Sequence, residues 1–300
     1  MRAEWYDYER DEQGNCYAVD PKTGEAIEAM TITVPIGSKI TTPAQQEAYA
    51  KIKEHERNLA MRRRVSSDGG RFYFLPGQIG FNDLSPATAA RLIFLGTFSS
   101  YDGNKLVISQ RKPISRKNLS DILKVSRATA DRFWSEVSPK YITEDENGLL
   151  LTNSNIFIRG AISKGESYRK MFLDGIRNLY RSVPASKHKV LGYVFQMLPF
   201  VNFEWNVLCY NPDETDLDSI DLMSIDEFRT AIGYEKTNIS RLIKTYREIV
   251  FPVKGKPEPF CAFVSCGTSK NKDKIVVNPR ILYSGTQPEA VRILGGLCKE

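Results

Sequence analysis

Histidine is scarce in this sequence: His55 and His188 are the only two in 300 residues. They lie far apart and form no His-x-His pair, so the chelate used by a metal-dependent nickase is missing. No G-x-x-x-x-G-K-[ST] loop occurs, which argues against an ATP-driven motor or loader. No run of about 18 apolar residues exists, so nothing is expected to span a membrane. The first residues, MRAEWYDYERDEQGNC, are acidic and aromatic and lack the apolar stretch of a secretory signal. Cysteine is sparse and odd in number (Cys16, Cys209, Cys261, Cys266, Cys298). Such a set reads as reduced thiols in a cytoplasm. Cys261 and Cys266, five apart on one strand, would face opposite sides and chelate poorly. The expectation is a cytoplasmic protein that is not an enzyme and uses no metal or other cofactor.

What the sequence does have is self-similarity. SDILKVSRATADRFWSEV (residues 120–137) and RTAIGYEKTNISRLIKTY (residues 229–246) match in apolar pattern at a shift of 109. Leu119 falls on Phe228, Leu123 on Ile232, Ala130 on Ile239, and Phe133 on Leu242. A second match, TNSNIFIRG over VNPRILYSG, runs at a shift of 125. Coincident apolar positions with few identities are what a repeated structural unit leaves behind. The length, with 41% apolar residues, suits two domains.

Around each repeat the same order of elements is expected. PATAARLIFLGTF, capped by Ser85, and SKHKVLGYVFQMLPF read as helices. KLVISQ and EWNVLCY read as short strands. Each is followed by two helices joined by a tight turn, then by a strand, turn and strand. Helix, strand, helix–turn–helix and two-stranded wing is the order of a winged helix. The fold class expected is α+β, mainly α: two tandem winged-helix domains with an N-terminal strand and helix arm. The boundaries expected are 1–70 for the arm, 71–182 for the first domain with a linker helix over 161–185, and 183–300 for the second. The arm itself is read as short strands up to about residue 40, then a helix over 43–64. That helix has Thr42 as N-cap, a Glu47–Lys51 pair, and Arg62, Arg63 and Arg64 at its end.

Charge is distributed unevenly. The net charge is +6, yet residues 1–30 hold eight acids against three bases. Residues 110–140 hold eight bases against three acids, and residues 228–300 hold thirteen against six. Both basic excesses surround the repeated stretches, which points to a polyanionic partner, double-stranded DNA. In a helix–turn–helix the start of the second helix reaches base edges. The candidate readers are Ser126, Arg127, Thr129, Asp131 and Arg132 in the first unit. In the second they are Glu235, Lys236, Asn238, Ser240, Arg241 and Lys244. The wing lysines Lys270, Lys272 and Lys274 are expected on phosphates, while the acidic first wing, TEDENG, should stay away from them. Residues 211–227 carry seven acids and no base; they read as a solvated loop leading into a capping box at Ser224 and Glu227, or as a dock for a basic protein.

MSIDEFRTAIGYEKTNISRLIKTYREI together with the closing IVVNPRILYSG resembles the replication initiators of plasmids and phages, over roughly residues 84–285. The resemblance implies binding of origin repeats and recruitment of host replication proteins, without catalysis by the chain itself. Two other roles fit the same residues: a phage or plasmid transcriptional repressor, and an adaptor whose winged helices dock host replication or transcription proteins.

Overall fold

The computed structural model describes residues 7–10, 12–13, 16–19, 22–28, 43–65, 70–75, 81, 83–101, 103–109, 112–163, 165–235, 239–265 and 273–296. Packing divides the chain into two units, Met1–Lys53 and Glu54–Glu300. In the first, β1 (Asp7–Arg10), β2 (Cys16–Val19) and β3 (Ala26–Glu28) form an antiparallel meander. Helix α1 (Pro43–Val65) begins in this unit and runs into the next. Proline suits its first position, and Glu47 meets Lys51 at 2.7 Å one turn on. Thr42 and the side chains of Arg62 and Arg64 lie outside the described residues, and Arg63 is exposed.

The second unit opens with β4 (Arg71–Phe74) and α2 (Pro86–Gly96). Ser85 caps α2 by accepting from Thr88 N at 3.3 Å. Every residue from Thr88 to Gly96 is buried, Thr88 and Arg91 included, so the helix is covered on all sides. Next come the hairpin β5 (Val107–Ser109) and β6 (Lys112–Pro113), then α3 (Leu119–Leu123) and α4 (Arg127–Val137). A second hairpin pairs β7 (Ile142–Glu144) with β8 (Leu150–Thr152). After it, β9 (Phe157–Ile158) and β10 (Arg169–Phe172) flank β4 in one sheet. Helices α5 (Leu173–Ser182), α6 (His188–Phe195), α7 (Ile225–Ala231) and α8 (Ile239–Glu248) follow. Two hairpins, β11 (Val250–Val253) with β12 (Lys256–Pro259) and β13 (Cys261–Val264) with β14 (Lys274–Val277), precede the closing α9 (Pro288–Gly295). The chain is α+β, mainly helical, with small sheets.

The two repeats make the same hydrogen bonds. Val107 N donates to Phe98 O, and Cys209 N to Phe200 O, each at 2.9 Å; Ser100 N donates to Lys105 O and Asn202 N to Val207 O, each at 2.8 Å. Leu106 N reaches Leu150 O as Leu208 N reaches Ile275 O, and Ile114 N reaches Leu106 O as Met223 N reaches Leu208 O. After each hairpin an asparagine holds the chain in the same turn. Asn155 N donates to Asn153 Oδ1 and Arg280 N to Asn278 Oδ1, both at 2.9 Å. The shifts of 109 and 125 seen in the sequence recur here, joined by a shift of 102 for the elements from α2 to the first strand.

The repeats are arranged about a twofold. Phe74 pairs with Phe157 as Met171 pairs with Leu282, so β4 and β10 are counterparts. These counterparts pair antiparallel with each other, Phe74 opposite Arg169 and Phe72 opposite Met171, with Tyr73 opposite Lys170 at the centre. Exchanging the repeats maps this register onto itself, which is the mark of a local twofold axis through the Tyr73–Lys170 pair. Helices α2 and α6 are likewise counterparts and pack together; a Cβ at Gly192 would overlap the Pro86 carbonyl oxygen. One hydrophobic core runs through both repeats, from Phe72, Phe94 and Phe133 to Leu191, Phe195, Phe228 and Tyr246.

Three local expectations change. Within the stretch expected as a linker helix, Arg169–Phe172 is β10, because its backbone completes the sheet edge beside β4, and the α-helix covers Leu173–Ser182. EWNVLCY makes isolated bridges, Val207 to Val276 and Cys209 to Leu222, instead of a continuous strand. VFPVKGKP, unassigned from sequence, forms with Glu258 and Pro259 the β11–β12 hairpin, which turns at Lys254 and Gly255, both with positive φ.

Candidate nucleic-acid interface

Each repeat places two short helices at a tight turn. In the first, α3 ends on Lys124 in the left-handed region, φ 54° and ψ 45°; in the second the counterpart residue is Gly233, φ 67°. Ser126 then caps α4 by accepting from Thr129 N at 3.3 Å, with the two hydroxyls 3.0 Å apart. Ser224 and Glu227 cap α7 reciprocally: Ser224 N donates to Glu227 Oε2 at 2.6 Å and Glu227 N to Ser224 Oγ at 3.3 Å. Hydrogen bonds to its carboxyl from the Ser224 side chain and then from the Ser224 backbone hold Glu227 below its ordinary pKa. Ala130, Phe133 and Val137 anchor α4 to the core, as Ile239, Leu242 and Tyr246 anchor α8.

That anchoring decides which side chains face outward. Along α4, Arg127, Asp131 and Arg132 are exposed, with Ser126 before them. Arg127 makes no hydrogen bond or ion pair with a described residue, whereas Arg132 Nε donates to Ala128 O at 3.3 Å. The Ser126 and Thr129 hydroxyls are already engaged in the cap, so they serve the helix first. Asp131 faces Arg116 at 3.8 Å, and the Arg116 guanidinium lies 5.7 Å from the Trp134 ring centre. Arg116 was missed from the sequence although it sits in the basic run SRKN just before α3. Its charge offsets a carboxylate that would otherwise repel phosphate.

Along α8, Ser240, Arg241 and Lys244 are exposed, and Lys244 pairs with Glu248 at 3.8 Å. Glu235, before the helix, is also exposed. Arg132 and Arg241 are counterparts at the shift of 109, while Asp131 is matched by Ser240 and Ser135 by Lys244. Lys236 and Asn238, and the wing lysines Lys270 and Lys272, lie outside the described residues. Lys274 is half-buried, its Nζ donating to Leu222 O at 2.8 Å at the surface. Arg247, another residue missed from sequence, stands over the Phe263 ring at 4.7 Å and pairs with Asp273 at 3.4 Å. In the β7–β8 turn Asp145 Oδ1 accepts from Asn147 N and Leu149 N, leaving Glu144 and Glu146 exposed.

The acidic stretch is largely used within the chain. Asp213 pairs with the fully buried Arg169 at 3.0 Å and Asp226 with Arg229 at 2.8 Å; Asp216 accepts from Asp218 N at 3.3 Å. Burial pushes the Cys209 thiol up to about 11 and the Cys261 thiol up to about 12, so neither is a ready thiolate at neutral pH. Among the described residues no group of three metal-ligating side chains occurs, and no helix is long and apolar enough to cross a membrane. Compared with known proteins, the chain finds no match among family models, curated proteins or solved structures.

Proposed function

We propose that the chain binds double-stranded DNA sequence-specifically through two winged-helix heads, with α4 and α8 entering successive major grooves. The observation that carries this reading is the twofold relation of two capped helix–turn–helix pairs, each with arginine on its outward face. B-DNA has local twofold axes between its strands, so such a pair of heads meets half-sites of opposite orientation about one helical turn apart, ~10.5 bp. Arg132 and Arg241 are placed alike and would chelate guanine alike, whereas their neighbours differ, so the half-sites are related without being identical. Arg116 beside Asp131, and Arg247 over Phe263, supply phosphate contacts at the flanks.

On the resemblance of its second repeat to plasmid and phage initiators, the role proposed is origin binding at the start of replication. Selection of bound duplexes from a random pool tests the DNA reading directly. The expected product is a site of roughly 20 bp with two inverted, unequal half-sites and an affinity that falls steeply with salt. Failure to enrich any sequence, or a single block of about 8 bp, would refute two-headed reading. Mapping the recovered site to an origin or to a promoter then separates initiator from repressor.

A further inference from the structure

A cavity of about 390 Å³ lies behind the first helix–turn–helix, between α2, α3, β5 and the segment that follows α5. Its size falls in the range of small-molecule sites.

Its chemistry is specific. The floor is made of rings: Phe94 and Tyr180 stack 3.9 Å apart with planes 7° from parallel, and His188 lies 4.4 Å from Tyr180 with its ring tilted by 39°. Tyr180 Oη donates to Leu123 O at 2.8 Å, which fixes the stack against the end of α3. Burial pushes the His188 pKa down to about 4, so the imidazole is neutral at pH 7 and adds no charge to the aromatic floor. Ile122 and Val183 close the sides with carbon. Around the opening stand Lys124, Arg181 and Asp121, a net positive rim. Arg91 sits buried next to Tyr180 and His188, and its Nε has no hydrogen-bond partner. An apolar ring wall with cations at the rim and a buried cation behind the floor favours a flat ring inside and a negative group at the mouth.

We propose that this cavity is a binding site for a small aromatic anion, such as a fused-ring carboxylate. Its occupant would touch α3 of the first head and the segment 181–188 that joins the two repeats. The site stands independently of whether the chain binds DNA.

Titration calorimetry on the full chain tests it with naphthoate, and with naphthol and naphthylmethylammonium as the same rings carrying no charge or the opposite one. The expected result is one naphthoate per chain, naphthol severalfold weaker, and the ammonium weaker still. Ala185→Trp and Ile122→Trp, which fill the space from opposite walls, should each weaken naphthoate at least tenfold. Lys124→Gln with Arg181→Gln should leave naphthol binding in place and remove the preference for naphthoate over it. Failure of all three compounds to saturate, several molecules per chain, or unchanged naphthoate affinity in a folded tryptophan variant would overturn the proposal. The glutamine pair keeps the test decisive where a tryptophan variant does not fold.

Discussion

Arg132 and Arg241 occupy one position of the repeat, and equal placement makes their removal comparable. For the proposed DNA reader, Arg132→Ala and Arg241→Ala should each cost about 1–3 kcal/mol on the selected site and relax specificity at one or two positions, one in each half-site. Lys244→Ala, a turn further along α8, should weaken all sequences evenly and lower the salt slope by roughly 1. Competition binding against single-base variants separates the two patterns; uniform weakening by Arg241→Ala would show that it meets phosphate instead. His188 makes a different prediction. Its pKa lies at about 4 against an ordinary 6.5, chiefly through burial, with Arg91 adding repulsion. The folded chain thus favours the neutral ring. That contribution is complete above pH 6.5 and is lost as the pH falls toward 4, by roughly 1–3 kcal/mol. Thermal unfolding should lose stability over this window, and His188→Gln should flatten that part of the profile. An unchanged profile in the variant would mean that the carboxylates alone set acid stability.

At the scale of elements, glycine marks two places where backbone decides. Gly233 turns α7 toward α8 with φ 67°, whereas its counterpart Lys124 adopts φ 54° at a steric penalty. Gly233→Ala should therefore destabilise by about 1 kcal/mol and Lys124→Gly should be neutral or stabilising, as urea titration would show. At Gly192 the issue is contact, since α6 lies against the Pro86 backbone. Gly192→Val should force α2 and α6 apart at a cost of about 3 kcal/mol or more. Local signals made much of this legible. Ser85–Pro86 marked the start of α2, Ser224 with Glu227 marked α7, and the apolar spacing at a shift of 109 marked both helix pairs. Long-range pairing was not legible. Arg169–Phe172 continues a helical pattern into Leu173, and only β4, nearly a hundred residues earlier, makes it a strand. Arg116 and Arg247 escaped notice because their importance depends on Asp131, Trp134, Phe263 and Asp273 being near in space.

For the molecule as a whole, the shared core means that each repeat completes the other. Phe94 of α2 stacks on Tyr180 of α5, and Gly192 of α6 lies directly against the Pro86 backbone of α2. In the proposed reader, the distance between the heads is then a property of a packed body and not of a loose tether. Inserting about 5 bp between the half-sites rotates one by half a turn, and the affinity of the intact chain should fall by a factor of ~10²–10⁴ at constant salt. Equal affinity for the native and lengthened duplex would mean that only one head binds.

For the proposed reader, the pairing of β4 with β10 also affects how binding would respond to dose. A twofold reader built from two separate chains must first assemble, so at low concentration its site fills with the square of the free chain. Here both halves are one polypeptide joined across Tyr73 and Lys170. For the proposed reader, occupancy at low filling follows concentration to the first power, so halving the supply halves the bound fraction instead of quartering it. Such a protein reports its own copy number in proportion, without the threshold that assembly imposes.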